Sequence, residues 1–332
     1  MKRIIISRTD NLGDVILTLP IATALKQKFP GASIIFIGKK YTEGVIQCCT
    51  SVDIFLDRET VISEPSVLRD LKADAIIFVY PDKALAKAVS KAGIPLRIGT
   101  SHRWYHWLYC NKLINFSRNK SQLHEALLNF KLLAPFGINL PFSTKSIPAL
   151  YHLRPFFSLK ETTALLLQNN KKKFIIHPKS KGSAREWPLE SYHALVKSLP
   201  EDKYQWYITG TEAEGASIRQ QYQALTLLPN VVDVTGTMSL PELISFIGKM
   251  DGLVACSTGP LHIAAALGKY TFGIYPPIKP MNLERWGAIG ERVELFALKK
   301  NCSDCRKTNK CHCIESIHHE VIAKAIHTDY AS

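Results

Sequence analysis

Ile4-Ile5-Ile6-Ser7-Arg8-Thr9-Asp10-Asn11-Leu12-Gly13-Asp14-Val15-Ile16-Leu17 decides the fold of this chain. The three isoleucines are a β-branched apolar run without polar alternation, the pattern of a strand buried on both faces of a parallel sheet. Ser7 to Asn11 is the loop leaving that strand, Gly13 permits a tight backbone, and Val15, Ile16 and Leu17 supply an apolar helical face. Asp14 thereby stands near the carboxyl end of a central strand, beside a helix start, where open α/β sheets keep their ligand crevices. It is the first candidate for a catalytic group. An aspartate in the first turn of a helix also serves simply to satisfy free N–H groups and the helix dipole, so position alone leaves both roles open.

The same alternation continues through the first half. Thr18 and Pro20 mark the cap and first turn of a helix running to Phe29, ended by Pro30-Gly31. Strands are expected at Ile34 to Ile37, near Ile54, at Ala75 to Val79 and at Leu96 to Ile98. Helices are expected over Thr42 to Cys49, Ala84 to Ala92 and Gln122 to Leu133. Alternating strand and helix favours right-handed parallel βαβ units. Arg97 to Lys120 departs from this order: Arg97, His102, Arg103, Lys112, Arg118 and Lys120 are interleaved with Trp104, Tyr105, Trp107 and Tyr109, with no acidic residue between. It reads equally as a basic, aromatic-lined wall for an anionic acceptor at a membrane surface and as a solvated loop whose aromatics pack on the domain.

With 332 residues the chain is long enough for two domains, and the Pro- and Gly-rich stretch Pro135 to Pro148 is the expected linker. The division falls at 1–150 and 151–332. No apolar run reaches the roughly 20 residues that span a bilayer, and the N-terminus has a strand pattern rather than a leader, so a cytoplasmic protein is expected. Forty-two Lys and Arg against 28 Asp and Glu give a net charge of +14, which points to an acidic partner. Of the eight cysteines, Cys302, Cys305, Cys311 and Cys313 are spaced C-x2-C-x5-C-x-C. The one-residue gap suits a zinc knuckle poorly, so reduced or locally paired thiols rank ahead of a metal.

The second half restarts with a buried strand at Phe174 to Ile176. The loop after it, His177 to Pro188, offers Lys179, Ser180, Lys181, Ser183 and Arg185 beside Gly182, a mixture suited to phosphate oxygens. Trp206 to Thr209 and Val231 to Val234 are further strands, and Ser239 with Glu242 forms a capping-box pattern. In Leu253 to Ala266 a buried strand ends in Ser257-Thr258-Gly259, Pro260 opens a helix, and small residues let that helix lie close on the sheet. The free N–H groups of its first turn, with the Ser257 and Thr258 hydroxyls, make a pyrophosphate site, and His262 lies about one turn in. Tyr270 to Tyr275 is the last clear strand.

R-T-D-N-L-G-D-V-I-L-T-L-P in the first half and S-T-G-P-L-H-I-A-A-A-L-G in the second resemble glycosyltransferase family 9, the ADP-heptose:lipopolysaccharide heptosyltransferases. R-I-G at Arg97 to Gly99, H-E at His124-Glu125, R-E-W-P at Arg185 to Pro188 and the late cysteine loop resemble it too. The resemblance implies a GT-B fold: two Rossmann-like α/β domains with parallel sheets facing a central cleft, the N-terminal one binding the acceptor and the C-terminal one the nucleotide-sugar donor. It implies inversion without a bound metal or other cofactor, and a cysteine loop that is a family feature rather than a metal site. The family's catalytic base matches Asp14, its donor-phosphate residue Arg185, and its helix-start motif Thr258, Gly259 and His262. Met238 matches a residue against adenine and Glu214 an acidic donor contact. Ser257 departs from the Asp found in many members, which bears on the identity of the sugar.

The expected activity is therefore transfer of a sugar, heptose from ADP-heptose foremost, onto an anionic lipopolysaccharide-core-like glycolipid by a monomer peripheral to the inner membrane's cytoplasmic face. Lys179, Ser180 and Ser257 join the donor site. Arg97, Arg103, Arg118 and Lys120 are the acceptor-binding candidates. A nucleotide-sugar epimerase on this fold leaves the motifs unexplained. A catalytically silent nucleotide-sugar or glycolipid binding protein is the alternative, with Ser257 for it and Asp14 against it. Nucleic acid ranks last, resting on charge alone.

Overall fold

The computed structural model describes residues 1–139, 143–279, 281–299, 302, 305 and 311–330. The chain divides into two compact units, Met1–Arg154 and Pro155–Ser332. Pro141 of the expected linker lies outside the described residues.

The first unit holds a parallel sheet of β1 (Arg3–Ser7), β2 (Ser33–Gly38), β3 (Ile54–Asp57), β4 (Ala75–Phe78), β5 (Leu96–Thr100) and β6 (Lys112–Ile114), in the order β3-β2-β1-β4-β5-β6. β1 is central, with Ile4, Ile5 and Ile6 in register with Ile34, Ile35 and Phe36 of β2 and with Ala75, Ile76 and Ile77 of β4. All three isoleucines are fully buried, as a strand covered on both faces requires.

The second unit repeats the plan with β7 (Lys172–His177), β8 (Tyr204–Ile208), β9 (Val231–Asp233), β10 (Gly252–Cys256), β11 (Tyr270–Ile274) and β12 (Val293–Phe296), in the order β12-β11-β10-β7-β8-β9. Counted from its own first strand this is the same 3-2-1-4-5-6 order. In each unit the chain winds outward, returns to the middle and winds out the other way. The switch falls between β1 and β4 in the first and between β7 and β10 in the second, where crevices open beyond the strand ends.

Two expectations need correction. Arg97 to Lys120 does not leave the alternation: β5 is followed by a helix, Trp104–Tyr109, and by β6, which pairs with β5 through Gly99 and Leu113. Within this helix His106 is fully buried, while Trp104, Trp107 and Leu108 are about two-thirds exposed. Thr18 stands at the start of the helix Leu19–Lys28 but its side chain caps nothing there. Its hydroxyl donates instead to the Asp14 carbonyl at 2.8 Å, tying the first helix to the second.

Candidate functional site

In the first unit the loop after β1 is closed by Arg8. Its guanidinium donates to Asp10 (2.7 Å), Asp14 (2.5 Å) and Glu125 (3.0 Å), and Arg8 is 2% exposed. Glu125 also receives Arg118, whose other nitrogen donates to the Val79 carbonyl and to the Asn129 side-chain oxygen. Asn129 returns its amide to the Leu17 carbonyl and the Thr18 hydroxyl. Two guanidinium groups thus face three carboxylates, an excess of one negative charge in a largely buried cluster. The hydroxyl of Tyr41 closes the rim by donating to the Asp10 carbonyl.

Asp14 lies in the short helix Leu12–Ile16 and is 9% exposed. Burial, which penalises the charged form, pushes its carboxyl up to about 6; Arg8 opposes that rise and the Asp10 and Glu125 charges add to it. Burial works against the charge on Arg8 as well, but Asp10, Asp14 and Glu125 together hold it protonated. The result is an aspartate that gains and loses its proton near neutrality, held by a fixed cation on one side.

The expected acceptor residues are dispersed. Arg97 spends its guanidinium on the Tyr109 and Ile94 carbonyls, and Arg118 is spent inside the Glu125 cluster. Both guanidinium groups therefore have protein partners within the first unit. Arg103 and Lys120 are exposed. Arg103 precedes the exposed Trp104, over which Lys83 places its ammonium at 4.7 Å.

In the second unit the loop after β7 is stitched to itself. Ser180 donates through its backbone N–H and hydroxyl to Glu186, and Lys179 is paired with Glu186 (3.3 Å) and Gln221 (3.0 Å). Arg185 is half-buried, one nitrogen donating to the Cys305 carbonyl at 3.3 Å. His177, at the end of β7, bonds the Thr209 hydroxyl at 2.9 Å, and burial pulls it down to about 4, so its ring is neutral.

β10 pairs with β7, so its end lies beside this loop. There Thr258 caps the helix Gly259–Ala266 by position, yet its side chain makes no cap bond. The Thr258 hydroxyl is buried and has no hydrogen-bond partner. A buried hydroxyl left unbonded is costly, and beside the free N–H groups of a helix start it marks a place for oxygen ligands. Ser257 is half-buried at the mouth and interacts with the Tyr275 hydroxyl, and His262 is buried one turn in. Met238 is half-buried in the turn before the Ser239–Glu242 capping box. Glu214 forms a second capping box: its carboxylate accepts from the Thr211 N–H (2.7 Å) and hydroxyl (2.9 Å). That role in the helix Glu212–Tyr222 was not anticipated.

Arg8, Glu125 and Asn129 were also not singled out. The R-T-D and H-E motifs contain two of them, but their convergence spans 117 and 121 residues of chain.

Over residues 66–314 the sequence matches the profile of glycosyltransferase family 9 (heptosyltransferase). A Haemophilus influenzae protein whose assignment as a glycosyltransferase is provisional is 26% identical over 307 residues, covering 88% of this chain and 87% of its own. The lipopolysaccharide core heptosyltransferase OpsX of the same organism is 21% identical over 306 residues, covering 89% and 85%. Among solved structures, the Escherichia coli heptosyltransferase WaaC with ADP superposes with a TM-score of 0.74 at 16% identity, over 98% of this chain and 99% of that one. WaaC has also been solved with ADP-2-deoxy-2-fluoro heptose. The two six-stranded parallel sheets are those of a GT-B glycosyltransferase, and this chain belongs to glycosyltransferase family 9, the heptosyltransferase family.

Proposed function

We propose that the protein transfers a sugar, heptose from ADP-heptose foremost, to a hydroxyl of a lipopolysaccharide-core-like glycolipid, with inversion and with Asp14 as the base. The observation that carries the donor half is the unpartnered, buried Thr258 hydroxyl at the start of the helix Gly259–Ala266. An ADP diphosphate there would take up that hydroxyl and the free helix N–H groups, with Arg185 and Lys179 meeting the charge that grows on the departing phosphate. These donors supply the role a cation would otherwise fill. The ligands of WaaC support the choice of ADP.

In the acceptor half, the attacking hydroxyl forms its bond to the anomeric carbon as its proton passes to Asp14 and the carbon–oxygen bond to ADP breaks. The Asp14 loop precedes the residues matched by the family profile, so its role rests on its burial, its partners and its motif. Arg103 and Lys120, with the exposed Trp104 and Trp107, are the surface offered to an anionic glycolipid at a membrane. Among the described residues no helix is long and apolar enough to cross a membrane.

Calorimetric titration with ADP, UDP, GDP and CMP tests the donor reading. ADP should bind selectively, and Arg185→Ala should weaken it about 10- to 100-fold, the loss of one or two charge-assisted hydrogen bonds. Equal affinity for all four nucleotides, or an indifferent Arg185→Ala, would reject it. The base reading sets the pH profile. Asp14 works only when deprotonated, so kcat/KM should climb as pH rises through about 6 and level off above it. A profile flat between pH 5 and pH 8, at about equal rates, would remove Asp14 from the role.

A further inference from the structure

We propose that Cys302, Cys305, Cys311 and Cys313 form a tetrathiolate site for a structural metal ion of the zinc class, and that the bound ion fixes the Cys305 carbonyl that holds Arg185. This departs from the expectation drawn from their spacing. The sulfurs of Cys302, Cys305 and Cys313 all lie within 4.8 Å of one another, and those of Cys305 and Cys313 are 3.6 Å apart. Cys311 joins through a thiol contact with Cys305. A tetrahedral ion with metal–sulfur bonds of about 2.3 Å needs sulfurs roughly 3.8 Å apart, close to what is found.

The one-residue gap that reads poorly as a knuckle is resolved by local geometry. Cys311 is the cap of the helix His312–Glu315 and Cys313 lies in its first turn, so the pair straddles a helix start instead of a loop. Three of the sulfurs accept backbone N–H groups: Cys302 from Cys305, Cys305 from Cys313, and Cys311 from Ile314. Buried thiols packed as small apolar groups need no such donors; metal-bound thiolates are oriented and stabilised by them. None of these four cysteines is in a disulfide, so no S–S bond competes for their sulfurs. Cys305, Cys311 and Cys313 are buried in the core of the second unit with Ile314, Ile317 and Ile322.

The donor set also selects the ion. His312 is exposed and paired with Glu315, leaving an all-sulfur set that suits zinc or iron and not magnesium, calcium or manganese. Binding a divalent ion forms four metal–sulfur bonds and releases the thiol protons to solvent, with no change of oxidation state. Four thiolates around it leave a net negative cluster, and the Arg185 guanidinium is anchored to it through the Cys305 carbonyl. The consequence for Arg185 rests on its reading as a donor-phosphate residue; the metal site itself does not.

The test is metal analysis by mass spectrometry of the full chain purified without chelator, beside Cys305→Ser and Cys313→Ser. About one zinc or iron per wild-type chain, lost in both variants, is expected. Should the variants fail to fold, wild-type protein stripped under reducing conditions and titrated with Co²⁺ should develop thiolate-to-cobalt charge transfer and tetrahedral ligand-field bands. Absence of metal together with absence of those bands overturns the site, as does a thiol count showing the four cysteines oxidised in the native protein. ADP titration of loaded and stripped protein reads the second claim. Weaker binding after stripping, restored by zinc, supports it, whereas equal affinity overturns the link to Arg185 and leaves the metal standing. Failure of both forms to bind ADP would reject the donor reading instead, since metal content is measured without nucleotide.

Discussion

Asp14→Asn is expected to lower sugar transfer about 10²- to 10⁴-fold, the usual contribution of a positioned general base. The amide keeps the shape and one hydrogen bond from Arg8, so ADP should bind the variant as it binds the wild type. Stability should move the other way. Because the folded chain raises the Asp14 carboxyl from 3.8 to about 6, the stability this group contributes is present in full below pH 4 and is lost as pH rises through about 6. The variant has no such loss, so between pH 4 and pH 8 its stability relative to wild type should grow by on the order of 3 kcal/mol. Denaturant unfolding at the two pH values, beside a transfer assay, reads both. Undiminished turnover would end the assignment of Asp14 as base, and a pH-independent stability difference would end the account of its burial.

Arg8→Met is expected to be the more damaging change, at about 3–5 kcal/mol of stability, because it takes from the buried Asp14 and the partly buried Asp10 the cation they share. Arg118 remains on Glu125, but Asp10 and Asp14 lose the guanidinium that each holds at 2.7 Å and 2.5 Å. Without it the Asp14 carboxyl should rise further still. The loss should therefore be greatest at high pH and shrink as pH falls and Asp14 takes up its proton. Any transfer activity that survives should need a higher pH. A urea midpoint equal to that of wild type at pH 8 would show that the Arg8 cluster contributes little to stability.

The parts legible in the sequence were those written in contiguous apolar runs. β1, β2, β4, β7, β10 and β11 are such runs, buried on both faces, and their order implies the doubly wound plan. β6 and β12 are edge strands of three and four residues, half-exposed, with charged residues in them, and neither presents a run to read. The helix Trp104–Tyr109 hid for a related reason: aromatic residues and His106 fill every position but Leu108 and leave no apolar stripe. At the site, local chemistry was readable where a motif carries its own partner, as in Ser239-x-x-Glu242. The equivalent Thr211-x-x-Glu214 box was passed over, because the family resemblance matched Glu214 to an acidic donor contact and drew attention away from its capping role. What sequence could not supply was the pairing of Arg8 with Glu125, since no local rule joins residues 117 positions apart.

Both sheets are wholly parallel, so every loop that follows a strand emerges at one end of its sheet, and the ladders beneath are held by backbone bonds indifferent to side-chain identity. Descent can then revise those loops while leaving the scaffold's pairing intact. Ser257 illustrates the point: it stands one residue beyond the last β10–β11 pair, Cys256 with Ile274. If Ser257 is the donor-site residue proposed above, an exchange between serine and aspartate there would alter what the chain offers an incoming sugar without disturbing a single rung. On that proposal, divergence of sugar preference within an inherited framework is a small mutational step, and paralogues that share this core need not share a substrate.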